Sequence, residues 1–526
     1  MSATEPIGRL RQGLAVPRAG GNLALTIAAI TLVAALYQLR WGTVPDTSWL
    51  ITVCERVLAG DLLYKDVFES NPPFSIWMYL GPVAVAHILD ISPEFAVQAW
   101  TYLLVIAGFV LAILVAHRAN FPENEKLFCL APAAYFVLVV FPGSAFSERE
   151  HIAMALFLPL LTMTAWRARP DASSSPGFGL SVLTGLLASV LLLVKPFYAV
   201  MVLAPCLYAA WRRKSLAPIF AVENWVIGLV CSAYLASVFY LHPEFMRDVY
   251  PLLADTYLKM RSYLSVLVIY GTSWAGLMLL VWRFWPKDGS PELASVMTIA
   301  SAAGMIPLIY QAKGWAYHAY PALACAIFAL LCLAALPRDG RKPRWTGAFP
   351  LMMNPTRTLI ALLVIVAYAP FWVSQKPGAQ LVQDIRAATI EPRVAVVASD
   401  LAAGHPLTRM VGGRWVSFYN SDWLGVFSML LTVNAHAAGD ATAEQRYRAM
   451  LDQYAAFKIA EFERNRPEIV VVDIREKYWL PLVIRRFGFD RVLAGYHLIG
   501  GWKNMRVFLR NDLRVPVSSS PASASN

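Results

Sequence analysis

The amino-acid sequence predicts a mainly α-helical, polytopic membrane protein with a small α/β domain near its C-terminal end. Three observations carry that fold class. Hydrophobic residues make up 58% of the 526 and charged residues only 15%, where a soluble chain carries about 25% charged. Apolar runs near the roughly 20 residues needed to cross a bilayer recur through the first 374 positions. Past residue 375 the pattern changes to short buried-strand runs, "RVAVVAS" (393–399) and "EIVVVDI" (468–474).

Taken in order, the spans fall at 21–40, 94–116, 127–142, 150–166, 177–194, 197–211, 216–241, 263–282, 293–311, 318–336 and 357–374, about eleven in all. Only Lys195-Pro196 divides the fifth from the sixth. A further apolar stretch, 72–91, opens with Pro72-Pro73 and contains Gly81-Pro82. The basic clusters decide how it is read: Arg9/Arg11/Arg18, Arg118/Lys126, Arg167/Arg169, Arg212/Arg213/Lys214, Arg283/Lys287 and Arg338/Arg341/Lys342/Arg344. All six fall on one side if 72–91 does not cross, so the positive-inside rule favours a surface-lying or re-entrant segment there. The N-terminal tail (1–20) is then cytoplasmic, the membrane domain covers 21–374, and 375–513 forms a periplasmic α/β domain of a bacterial inner-membrane protein. Residues 440–464 read as a polar helix capped by Asp440, 497–510 as a hairpin, and the tail 514–526 as disordered.

Composition also excludes classes. A net charge of +11 comes from basic residues spread through short loops, which is topology and not a nucleic-acid surface. Six cysteines lie scattered, five in apolar runs and none in a CxxC pair, so neither a disulfide framework nor a zinc site is expected. Residues 1–20 are polar without a small-residue cleavage site, and no cleavable signal peptide is expected.

Ionisable residues crowd the external loops, and polar groups at membrane depth mark sites. Asp46 follows Pro45 just outside the first span. It reads either as the cap of an amphipathic helix 47–59 lying on the membrane with Trp49 in the interface, or as a general base at the floor of an external cavity. "DVFESNPPFSIWMY" (66–79) puts Glu69 and Asn71 before a double proline, which is turn chemistry or the lining of the same cavity. In "FPGSAFSEREHIAMAL" (141–156), Ser147 and Glu150 match a capping box. That leaves Glu148, Arg149 and His151 unexplained, and an arginine beside carboxylates clamps an acceptor or a phosphate. "YQAKGWAYHAYPA" (310–322) places Lys313, Trp315, Tyr317 and His318 between two spans, either as an aromatic belt with a snorkelling lysine or as a seat for an anionic head group.

Over about residues 21–325 the chain resembles the C-type superfamily of integral-membrane glycosyltransferases, the group holding bacterial relatives of protein O-mannosyltransferases and the lipid A aminoarabinose transferase. The resemblance rests on Asp46 after the first span, the Glu69/Pro72/Pro73 turn closing a long first loop, Glu148 and Glu150 opening the fourth span, "LLVKPF" (192–197), and "KGWAYHAYP". Ser70-Asn71 precede the prolines here, so no lysine role carries over to that turn. The resemblance implies a polyprenyl-phosphate-linked sugar donor and a glycan, lipid or protein acceptor hydroxyl, with inverting transfer. Asp46 is the implied base. Glu148 and Glu150 orient the acceptor or hold a divalent metal, the one candidate cofactor. Lys313, His318 and Arg149, with Lys195 and Arg261 as weaker choices, meet the phosphate; Glu69, Asn71, His151, Trp315 and Tyr317 line the cavity. A polyprenyl-linked glycan transporter would instead need charges along a path to both faces, and a non-catalytic assembly subunit would show no convergence of Asp46, Glu148 and Lys313.

Overall fold

The computed structural model describes residues 19–41, 43–170, 175–287, 289–336, 363–365, 367–373, 376–475 and 478–513. The expected cytoplasmic tail, all but its last two residues, the first and last basic clusters, most of span 357–374 and the terminal tail lie outside them.

The longer helices described before the sheet region are numbered α1 (Ala19–Trp41), α2 (Pro45–Leu58), α3 (Phe74–Leu89), α4 (Pro93–Ala119), α5 (Asn124–Val139), α6 (Arg149–Ala168), α7 (Phe178–Val194), α8 (Ala199–Arg213), α9 (Val222–Leu241), α10 (Tyr263–Phe284), α11 (Glu292–Gln311) and α12 (Ala316–Ala335). Six of these, α4, α6, α9, α10, α11 and α12, are long and apolar enough to cross a membrane by length and composition. The segments expected at 21–40, 127–142, 177–194 and 197–211 are also helices, α1, α5, α7 and α8. The stretch 72–91 becomes α3. Lys195 adopts extended backbone, and a 3₁₀ turn over Pro196–Tyr198 separates α7 from α8.

Burial sorts these helices. The apolar window of α6 is 94% buried inside the protein and that of α9 only 11%, so α6 is the central post and α9 faces outward. Close approach makes this possible: a Cβ on Gly108 of α4 would meet the Ala155 carbonyl oxygen of α6 at 2.3 Å. Small residues let helix backbones touch where no water drives them together. The charges at the head of α6 are therefore enclosed by protein and shielded from lipid.

The C-terminal region holds α13 (Ala379–Ala388), β1 (Arg393–Val397), β2 (Arg414–Trp415), α14 (Trp423–Ala437), α15 (Ala441–Asn465), β3 (Ile469–Asp473), α16 (Trp479–Phe487), α17 (Phe489–Leu493), β4 (Tyr496–Trp502) and β5 (Met505–Arg510). The sheet order is β2-β1-β3-β5-β4. β1 runs parallel to β2 and β3, with Val394 beside Ile469; β5 is antiparallel to β3 and β4. The Asp440 carboxylate accepts from Ala443 N–H at the head of α15, as a cap does.

This domain shares a hydrophobic core with the segment that joins α1 to α4. Trp49, Leu50, Ile51 and Tyr79 pack in the same cluster as Val394, Val396, Trp415 and Val471. That corrects the expectation of a membrane-lying helix 47–59. Trp49 is 2% exposed and packs against the rings of His405 and Trp415, so α2 lies between the helix bundle and the sheet. Ion pairs reinforce the contact: Arg409 binds Glu55 and also Glu94, whose carboxylate lies 2.5 Å away.

Candidate active site

The cavity of interest, about 610 Å³, opens between the outer ends of the helices and the sheet domain. Its wall includes Asp46, Ser70, Glu148, Trp315, Tyr317 and, from the far side, Asp400 and Trp423. Two short stretches build its floor.

The first is the start of α2. Pro45 occupies the opening helical position, where a missing N–H costs nothing. Val44 is the N-cap and no side chain caps the helix, so the expected capping role of Asp46 is not what the structure has. Asp46 sits in the first turn, with its carboxylate left for the cavity. About a third of that side chain remains accessible, and Asp46 lines the cavity.

The second is "SEREH". The expected Ser147/Glu150 capping box does not form. Glu148 is the N-cap of α6 and makes no side-chain cap bond. Ser147 has φ +69°, in the left-handed region. Tertiary bonds hold it there: its carbonyl oxygen accepts from Tyr79 O–H at 2.6 Å and Thr47 O–H at 3.4 Å, and its hydroxyl accepts from Thr101 at 3.0 Å. This turn aims the next three side chains in different directions. Glu148 reaches the cavity wall and accepts from Thr47 at 3.2 Å. Arg149 lies 3.9 Å from Asp46. Glu150 turns to Lys195, 2.5 Å away, which contacts His318 Nε2 at 2.6 Å.

The electrostatics follow from this enclosure. Burial pushes the Asp46 carboxyl up to about 6, Arg149 opposing it. Burial, followed by the nearby Asp46, drives Glu148 well above the usual carboxylate range. Burial also holds Lys195 below the usual lysine range, with Glu150 opposing. Burial thus biases both carboxyls at the wall towards the protonated form, and the Arg149 guanidinium 3.9 Å from Asp46 favours its ionised form. Several buried atoms lack partners: Arg149 Nε and Nη1, Glu148 Oε2 and Glu150 Oε2. Buried polar atoms in this state await water or a ligand.

The remaining predicted residues divide. Trp315 and Tyr317 line the cavity, their rings stacked 5.8 Å apart. His318 and Lys195 lie behind Tyr317, with the Lys195 ammonium 5.7 Å from that ring. Glu69 is buried and occupied: it accepts from Trp49 Nε1 and from both nitrogens of Asn71, so these two build the turn, and Ser70 between them meets the cavity. His151 is fully buried with both ring nitrogens bonded to backbone, at Ser147 N–H and the Leu138 carbonyl, away from the cavity. Lys313 donates to the carbonyls of Tyr257 and Met260 and lies 4.0 Å from the Tyr257 ring centre. Burial lowers it to about 8. Arg261 donates to the Leu258 carbonyl and covers the Tyr310 ring. Neither lysine nor arginine lines the cavity. Among the described residues no three His, Cys, Asp or Glu side chains converge as metal ligands. The sequence reading missed the opposite wall: Tyr257, Ser399, Asp400, Asn420, Trp423 and Phe427. The one signal for it was the polar "SD" closing the buried run "RVAVVASD", since open α/β sheets bind ligands beyond their strand carboxyl ends.

No family model and no curated protein matches the chain. Solved structures do. ArnT from Cupriavidus metallidurans bound to undecaprenyl phosphate aligns over 94% of this chain and 99% of its own, with 14% identity and a TM-score of 0.57. Its apo form aligns over 95% and 100%, with 13% identity and a TM-score of 0.56. The chain shares the fold of these ArnT structures. The archaeal oligosaccharyltransferase AglB from Archaeoglobus fulgidus, in complex with an inhibitory peptide and a dolichol-phosphate, aligns at 13% identity over 94% of this chain and 75% of its own, with a TM-score of 0.42. At 14% identity the likeness to ArnT is one of backbone path. The roles of Asp46, Glu148 and Arg149 are read from this chain's own geometry.

Proposed function

We propose that the protein is an inverting glycosyltransferase of the bacterial inner membrane. It moves a sugar from a polyprenyl-phosphate donor to an acceptor hydroxyl on the periplasmic face. The observation that carries this reading is the pair of enclosed carboxyls, Asp46 and Glu148, with the Arg149 guanidinium 3.9 Å from Asp46, in a cavity closed on one side by membrane helices and on the other by the sheet domain. The fold shared with an undecaprenyl-phosphate-bound structure supports the lipid donor.

In the reaction the acceptor oxygen attacks the anomeric carbon. The bond from that carbon to the phosphate oxygen breaks, and its electron pair leaves with the lipid phosphate. Asp46 takes the acceptor proton. Glu148, whose burial favours its protonated form, donates a hydrogen bond to a sugar or phosphate oxygen. Arg149 favours the ionised form of Asp46 and offers two unpartnered N–H groups to developing negative charge. Lys195 adds positive charge from behind Tyr317. Trp315 and Tyr317 stack on the apolar face of a sugar ring.

Undecaprenyl phosphate binding tests the donor side. Full-length protein in detergent should bind it, as read by native mass spectrometry. Arg149→Lys keeps the charge but loses the planar fork, and should weaken binding about tenfold. Failure of the wild type to bind above a neutral lipid of equal chain length, or unchanged affinity in Arg149→Lys, would refute this assignment.

A further inference from the structure

The cavity wall contributed by the sheet domain has its own chemistry. Ser399 and Asp400 follow β1, where the parallel part of the sheet presents its carboxyl edge. Asp473 closes β3 at that edge, and Arg475 follows it. One oxygen of Asp400 accepts from Ala402 N–H at 2.9 Å, which fixes the loop. The other accepts from Arg475 Nη2 at 3.2 Å, and Arg475 is anchored in turn to Asp473 at 2.8 Å. Asp400 and Arg475 are each about half exposed. Arg475 thus holds Asp400 from outside the cavity, and Asp400, which lines the cavity, presents a carboxylate acceptor to it. Beside it the Asn420 side chain lines the cavity, and Trp423, Phe427 and Tyr257 form an aromatic bank with ring centres 5.6–5.9 Å apart.

We infer that this wall is a glycan subsite, in which Asp400 and Asn420 bond ring hydroxyls and the Trp423/Phe427/Tyr257 bank packs against the sugar's C–H face. Adjacent hydroxyls on a pyranose need an acceptor and a donor, and the Asp400 carboxylate with the Asn420 amide supplies that combination on the cavity wall. An aromatic bank alone would suit any apolar group; its position beside the ion pair selects an amphipathic, hydroxyl-rich one. Resting on the proposed transferase reading, the subsite belongs to the acceptor. A lipid-tethered donor sugar stays near the membrane-side floor at Asp46 and Glu148. The opposite wall, carried by the sheet domain, meets the other substrate.

Saturation-transfer NMR on the full-length protein in nanodiscs tests this with methyl α-mannopyranoside, methyl β-glucopyranoside and methyl β-galactopyranoside as probes. At least one should receive saturation from the wild type. Asp400→Ala and Asn420→Ala should each cut that signal at least fivefold, while Gly228→Ala, on the outward-facing α9, leaves it within twofold. Unfolding of a variant is monitored by its melting profile, and Asn420→Ala carries the test if Asp400→Ala does not fold. Saturating undecaprenyl phosphate should leave the signal in place; displacement would move the sugar to the donor side and overturn the acceptor assignment. No signal from any probe, or equal signals in both variants, overturns the subsite. Glycoside binding without any undecaprenyl-phosphate binding would sink the donor reading and leave the subsite standing.

Discussion

At the residue scale, two lysines that look alike in sequence have opposite surroundings. Lys195 is buried against Glu150, whose side chain has no exposure at all, whereas Lys313 is spent on two backbone carbonyls. Removing one partner of a buried ion pair leaves an uncompensated charge and costs about 3–5 kcal/mol. Losing charge-assisted bonds to carbonyls costs about 1.5–3 kcal/mol. Lys195→Ala should therefore lower the melting temperature of the purified protein more than Lys313→Ala does, and Lys313→Ala should keep its undecaprenyl-phosphate affinity. The reverse ranking would mean that Glu150 has another partner and that Lys313 meets ligand. Sequence picked out Asp46, Glu148 and Arg149 because ionisable groups flanked by apolar runs demand a reason. It gave His151, Glu69 and Asn71 cavity roles they do not fill. Their partners, the Leu138 carbonyl and Trp49 among them, are set by packing between distant segments.

At the element scale, the helices were legible because long apolar runs bounded by charge leave few alternatives. The local caps were not. Ser147-x-x-Glu150 satisfies a capping pattern, yet bonds from Tyr79, Thr47 and Thr101 hold Ser147 in a left-handed conformation that puts its side chain elsewhere. Glycines make the element-level packing testable. Gly108 sits where α4 touches the backbone of α6, while a Cβ on Gly228 of α9 would meet nothing within 4 Å. Gly108→Ala should destabilise the protein by about 1–3 kcal/mol through overpacking. Gly228→Ala should be neutral or stabilising by up to about 1 kcal/mol through helix propensity. Equal effects in thermal unfolding would contradict the placement of α6 as the buried post.

At the whole-molecule scale, sequence foresaw a helical bundle followed by strands. It did not foresee that the sheet domain shares a core with α2 and closes the cavity, because that contact joins residues more than 300 positions apart, such as Arg409 and Glu55. The basic loops predict an orientation: a reporter active only outside the cytoplasm should be active when fused after residue 380 and silent at residue 342, and reversed signals would put the cavity on the wrong face. The central claim is that Asp46 takes the proton in sugar transfer. Its most direct test compares wild type and Asp46→Asn for release of free undecaprenyl phosphate from the polyprenyl-phosphate-sugar fraction of native membranes, followed by mass spectrometry across pH. A base works only when deprotonated, so the wild-type rate should rise as pH increases through about 6, the value to which burial lifts Asp46. Asp46→Asn should fold normally, since Asp46 caps no helix, and should lose roughly 100- to 10,000-fold in rate. A folded Asp46→Asn protein that transfers at near wild-type rate with the same rise near pH 6 would contradict the account.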